Sequence, residues 1–188
     1  MLGLLGEILI GFLILVLIIV GSLFDIPLGP RNYIVRRRYL FGLVRRPRRV
    51  AYLSMNVGGA IIPVCLALFM LPSVAWEKAS IATGLVAVIA FFFSGHVIRR
   101  GIVIQRFFPS FGVAIIALMF DKQAAFQLAF IAGSFGVLLG ADLIRIPWLW
   151  LFHRNQPFVI GGAGVRDAIL LIPVFAILIT LLGDLILW

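Results

Sequence analysis

Apolar residues in this chain fall into long unbroken runs separated by short polar clusters. The first run, Leu2 to Leu28, has no basic stretch ahead of it and no small-residue cleavage site, so it reads as a retained membrane span and not a signal peptide. Residues 29–50 follow and hold eight arginines. Further runs cover about 51–71 and 80–98, joined by a link carrying Glu77 and Lys78. The segment 102–120 is ambiguous, because its apolar part, Phe107 to Phe120, spans only about 21 Å as a helix against a hydrocarbon core about 30 Å thick. It either crosses in a short or broken form or re-enters. The last runs are 124–152 and 167–188, with Trp148, Trp150 and Trp188 where interface-seeking aromatics belong.

Charge decides between crossing and re-entry. If 102–120 crosses, six spans place both termini outside, and of the 16 lysines and arginines only Lys78 and Lys122 face outward. A re-entrant segment would move Arg145, Arg154 and Arg166 out and weaken that bias. The expected architecture is therefore all-α. It is a polytopic bundle of about six spans (3–28, 51–71, 80–98, 102–120, 124–152, 167–188) in one integral membrane domain over 1–188, with 29–50 a basic cytoplasmic loop in the cell membrane. Gly101 to Arg106 would enter the inner leaflet with Arg106 snorkelling, and Pro109 and Gly112 predict local unwinding. Unwound backbone is tolerated only where protein or enclosed water satisfies it, so this segment should face the bundle interior.

Composition agrees. Of 188 residues 63% are hydrophobic, about 118, and the mean hydropathy is +1.20; six spans need about 120. Charged residues make up 12%, about half the share of a soluble domain, which excludes a cytoplasmic enzyme, a coiled coil and a disordered chain. One cysteine, Cys65, and two histidines, His96 and His153, point to no disulfide, no metal and no cofactor.

At about 1.5 Å per residue, Asp25, Asn56, His96, Asp142 and Asp167 all fall near the inner boundary. Asp25 and His96 read equally well as ordinary span ends. Asp142 does not, because the apolar run continues past it to Phe152. A carboxylate costs about 2.5–3.5 kcal/mol at the centre of a span and less near the interface, so it needs a partner, and Arg145 lies three residues on along the same face. Asp167 closes a stretch containing Gly161, Gly162 and Gly164, where backbone can approach backbone or ligand. At the positive end of the last helix it would contribute about 0.3–1 kcal/mol as a cap. No strand pattern precedes these glycines, which excludes a dinucleotide fold. Gly58, Gly59 and the Gly136-x-x-x-Gly140 spacing read as packing surfaces and put the fifth span at the centre.

The arginines from Arg31 to Arg49 act first as a topology determinant. They do not gather on one helical face, but with Tyr33, Tyr39 and Phe41 they suit anionic headgroups, so membrane lipids are the expected partners, nucleic acid is not, and a homo-oligomer stays open. A faint echo links Leu23-Phe24-Asp25-Ile26-Pro27 with Leu143-Ile144-Arg145-Ile146-Pro147, each followed by Gly-Gly-Ala and then Ile-Pro-Val. It suggests two hairpins paired about an axis along the membrane normal.

Asn56-Val57-Gly58-Gly59-Ala60-Ile61-Ile62-Pro63-Val64, then Gly140-Ala141-Asp142-Leu143, then Gly161-Gly162-Ala163-Gly164 with Asp167, resemble the uncharacterised prokaryotic multi-pass family called domain of unknown function 1614. Gly21-Ser22-Leu23, Ile26-Pro27-Leu28 and Gly101-Ile102 fit as well. Asp25 stands where the resemblance leads one to expect asparagine, and Ala168 where glycine is expected. That family has no established activity, so the resemblance implies fold and membrane location only.

Three function classes follow. The first is a small transporter, or an ion- or headgroup-binding protein, with a polar site near the cytoplasmic boundary formed by Asn56, Gly58, Gly59, His96, Asp142, Arg145, Gly161, Gly162, Gly164 and Asp167. The second is an intramembrane aspartyl protease in which Asp142 and Asp167 share a proton, although the chain lacks the Gly-x-Gly-Asp and Pro-Ala-Leu runs of presenilin-type enzymes. The third is a structural subunit whose carboxylates pair with arginines.

Overall fold

The computed structural model describes residues 2–28, 33–35, 48–50, 53–97, 101–147 and 158–186. The arginines at 36–38, 45 and 46, with Arg99, Arg100, Trp148, Trp150, His153, Arg154 and Trp188, lie outside the described residues. Helices dominate. They are α1 (Leu2–Gly21), α2 (Ile62–Met70), α3 (Trp76–Phe93), α4 (Phe107–Phe120), α5 (Ala125–Val137) and α6 (Ala168–Ile186). Two π-helical turns interrupt them, Val57–Ile61 ahead of α2 and Leu138–Leu143 at the end of α5.

Helix α5 occupies the centre, packed against α2, α3, α4 and α6 and buried on every side from Leu128 to Ser134. Its neighbours come close because the interfaces are built of alanine and glycine, as in membrane helix packing where small residues substitute for a hydrophobic drive. A methyl group at Gly136 would stand 2.5 Å from Val86 Cγ1, one at Gly140 would meet the Ala87 backbone, and one at Gly133 would lie 2.8 Å from Pro173 Cβ. The Gly136-x-x-x-Gly140 spacing is thus a packing face against α3. Helix α1 stands apart: of its described side chains only Ile18 and Gly21 are buried.

Short strands join the helices, which the all-helical expectation had not included. Strand β4 (Leu53–Asn56) lies between β1 (Asp25–Pro27), antiparallel with Asp25 opposite Asn56, and β7 (Phe158–Ile160), parallel with Leu53 opposite Phe158. Strands β2 (Tyr33–Val35) and β3 (Arg48–Val50) form one hairpin ladder, and β5 (Ser94–Val97) and β6 (Gly101–Ile104) another. Backbone amides and carbonyls between helices need partners, and strand pairing supplies them where no helix can. The first helix therefore stops at Gly21, the segment expected as the second span opens on a strand, and 101–104 pairs with 94–97 instead of continuing into α4. Parallel pairing of β4 with β7 sets the two Gly-Gly-Ala segments side by side, in keeping with the echo between the hairpins.

The expected unwinding at Pro109 and Gly112 does not occur. Pro109 is the third residue of α4, where a missing N–H costs nothing because the first amides of a helix have no partner within it. Helix α4 turns its Pro109, Ser110, Val113, Ala114 and Ala117 face into the bundle.

Candidate functional site

Asn56 organises the junction where the three glycine motifs meet. Its side chain is almost fully buried, accepts the Gly59 N–H at 2.8 Å, and donates to Ser22 O at 3.0 Å, Phe24 O at 3.3 Å and Asp25 Oδ1 at 2.8 Å. It caps the first π-helical turn while tying α1 and β1 to it. Around it the backbones nearly touch. Gly58 faces the Ile18 and Ser22 backbone, and Gly59 faces the Gly161 and Gly164 carbonyls, so neither position has room for a side chain. Gly161 and Gly164 have φ of 69° and 61°, a left-handed conformation glycine adopts without steric cost. Ser22 and Asp25 join the junction although only the motif around Gly21 hinted at Ser22. The Gly-rich segment does follow a strand, β7, contrary to the sequence expectation, but one of only three residues leading into a 3-10 turn, Gly164–Arg166.

Asp167 follows that turn. Its Oδ2 accepts the Ala163 N–H at 3.2 Å and its Oδ1 the Ile169 N–H at 3.1 Å, so it closes the glycine loop and caps α6. Ala168, at the first position of α6, is accommodated and buried, and a tight glycine turn is not needed there.

Asp142 lies on the second π-helical turn, 8% exposed, and its carboxylate has no hydrogen bond or ion pair among the described residues. The expected Asp142–Arg145 pair does not form. Arg145 turns to the end of α3 instead, donating to Ser94 Oγ at 2.8 Å and to Phe91 O and Ser94 O at 2.7 Å each, with its guanidinium 4.8 Å from the centre of the Phe91 ring. Carbonyls left over at a helix end attract a cation through the helix dipole more strongly than proximity along the chain can compensate, so Arg145 caps α3. The charge acting on Asp142 is that of Asp167, brought near from another segment. Arg106, just ahead of α4, acts electrostatically on Asp167 in turn.

Of the residues expected to share a site, Asn56, Gly58, Gly59, Gly161 and Gly164 form one junction. Asp142 and Asp167 come near enough to act on each other electrostatically, while Gly162 borders the loop against Val159. Arg145 is bound to the end of α3, and His96 sits in β5 opposite Ile102. Among the described residues no three His, Cys, Asp or Glu side chains come together as a metal centre. Ser94 carries a role the sequence did not flag, and Arg106, expected only to snorkel, also acts on Asp167.

No curated protein and no solved structure matches the chain. The model of one family, described as protein of unknown function (DUF1614), matches residues 19–179. Because that match takes in the glycine junction, both aspartates and every helix from the end of α1 into α6, the chain belongs to the DUF1614 family.

Proposed function

We propose that this chain is a multi-pass integral membrane protein that binds a proton or a small cation between Asp142 and Asp167, in the class of small transporters and ion-binding proteins. Support for the membrane comes from the surface. Helices Trp76–Phe93 and Ala125–Leu143 are long and apolar enough to cross a bilayer. Large apolar side chains also point outward over most of the surface of α1, at Leu9, Ile10, Phe12, Leu13, Leu15, Leu17 and Ile19. An unpacked apolar helix of 20 residues is about 30 Å long, the thickness of the hydrocarbon core. The basic loop 29–50 faces the cytoplasm and both termini the outside.

The observation that carries the binding role is the Asp142 carboxylate, buried, without a cation among the described residues and within electrostatic reach of a second acid, Asp167. Ionisable groups inside membrane bundles mark ion and substrate paths, since an unpaired one is otherwise a pure cost. Thermal stability of the purified protein, followed across pH and monovalent cations, tests the assignment: a ligand at a hundredfold excess over its Kd stabilises by about 2.7 kcal/mol. Loss of that response in Asp142→Asn supports the site, and an undiminished response in the Asp142→Asn, Asp167→Asn double variant refutes it.

A second reading, an intramembrane aspartyl protease, draws on the same proximity of two aspartates on neighbouring segments. Against it, both Asp167 oxygens already accept backbone N–H groups. Cleavage of a transmembrane peptide that is abolished in either single Asp→Asn variant would favour it. The structural-subunit reading loses its main ground with the absent Asp142–Arg145 pair.

A further inference from the structure

Resting on the membrane reading above, we infer that the groove between α4 and α6 is a binding site for one anionic phospholipid, with its phosphate on Arg106 and an acyl chain along the groove. The cavity there measures about 280 Å³ and is walled by Phe111, Phe175, Leu178 and Ile179. Ser110 also borders it, but its hydroxyl donates to the Arg106 carbonyl at 2.6 Å and is spoken for. Arg106 is therefore the one charged group on an otherwise apolar surface. It is exposed and makes no ion pair among the described residues, and although its charge acts on Asp167, that carboxylate is held by Ala163 and Ile169.

Depth points to a lipid. Leu118 Cδ1 lies 3.5 Å from where a Gly183 methyl would be, which sets the register of α4 against α6. With equal rise along two parallel helices, Arg106 stands about level with Leu171, roughly one turn from Asp167 at the inner end. From that level to Ile179 the groove runs about 12 Å outward, close to the hydrocarbon depth of a single leaflet, about 15 Å. Charge at the headgroup end and aromatic and aliphatic walls beyond it match a phosphate with a chain attached, and a guanidinium offers the phosphate a paired, charge-assisted contact.

The test uses the full chain in reconstituted vesicles with a bimane label on Leu178→Cys, in a Cys65→Ser background. Brominated-chain phosphatidylglycerol should quench the label with about fivefold higher relative affinity than brominated-chain phosphatidylcholine, the preference one arginine near an anionic headgroup supplies. Arg106→Gln should abolish the preference and Arg106→Lys keep most of it. Equal quenching by the two lipids overturns the proposal, as does a preference that survives Arg106→Gln, which would place the anionic lipid elsewhere. Absence of quenching by either lipid, with protein released from membranes by alkaline carbonate, would overturn the membrane reading itself. Should Arg106→Gln fail to reconstitute, the comparison of the two lipids in the labelled parent still decides.

Discussion

If Arg145 caps α3 and has no part in holding Asp142, substitutions at the two positions should act independently. Arg145→Met keeps the apolar stem but removes three hydrogen bonds, one to the Phe91 carbonyl in the last turn of α3 and two to Ser94 just beyond it, and a contact with the Phe91 ring. Hydrogen bonds involving a charged group are worth about 1.5–3 kcal/mol each when secluded. The guanidinium is half-buried and its three bonds are lost together, so screening and non-additivity reduce the total to about 2–4 kcal/mol. Asp142→Asn removes a charge that no described cation balances, so it should leave stability unchanged or raise it. Sites without shared partners add to within about 0.5 kcal/mol, which is the coupling expected in the double variant. Reversible unfolding in mixed micelles measures all four corners of this cycle. Coupling above about 1 kcal/mol, with both single variants destabilised, would mean that the two side chains depend on each other and would sink the assignment of Asp142 as an unpaired site residue.

Gly58→Ala and Gly59→Ala should each cost about 1–3 kcal/mol, because the added methyl meets backbone that cannot yield, whereas Gly84→Ala, which has open space, should be neutral or stabilising; equal effects would refute the close junction. At the opposite end of the bundle the Lys78 ammonium, 2.8 Å away, holds the Asp121 carboxyl below its usual range, helped by the Ala124 N–H. A lowered carboxyl contributes stability that is complete above its unfolded value, about 4, and fades as pH falls through the lower folded value, so Lys78→Met should lower stability slightly at neutral pH, leave it unchanged at strongly acid pH, and thereby flatten the acid limb of a stability profile. In a Cys65→Ser background, Ser73→Cys should be labelled by an impermeant reagent from outside and Asn155→Cys only after permeabilisation; the reverse pattern would refute the orientation.

Helix content, the central place of α5 and the packing role of Gly136 and Gly140 were legible in the amino-acid order. Long apolar runs have few solutions for their backbone, and small residues at four-residue spacing mark a close approach whatever the partner. The glycine motifs could be named from the chain, but not what they meet. That Gly58 rests on the end of α1, and Gly59 on the Gly161 loop a hundred residues away, follows from the β1-β4-β7 pairing, which strands only three or four residues long do not announce. Asp142 stands out in the chain, since an acid inside an apolar run is visible in one dimension. Its partner is not. Helical spacing placed Arg145 beside it, yet the leftover carbonyls of α3 and the Phe91 ring compete for the same guanidinium, and that competition is settled only where α3 and the end of α5 pack together. Sequence distance sets which groups are able to meet; the tertiary structure decides which of several satisfied arrangements leaves the fewest polar groups without a partner, and here it left Asp142 buried, without Arg145 and within electrostatic reach of Asp167.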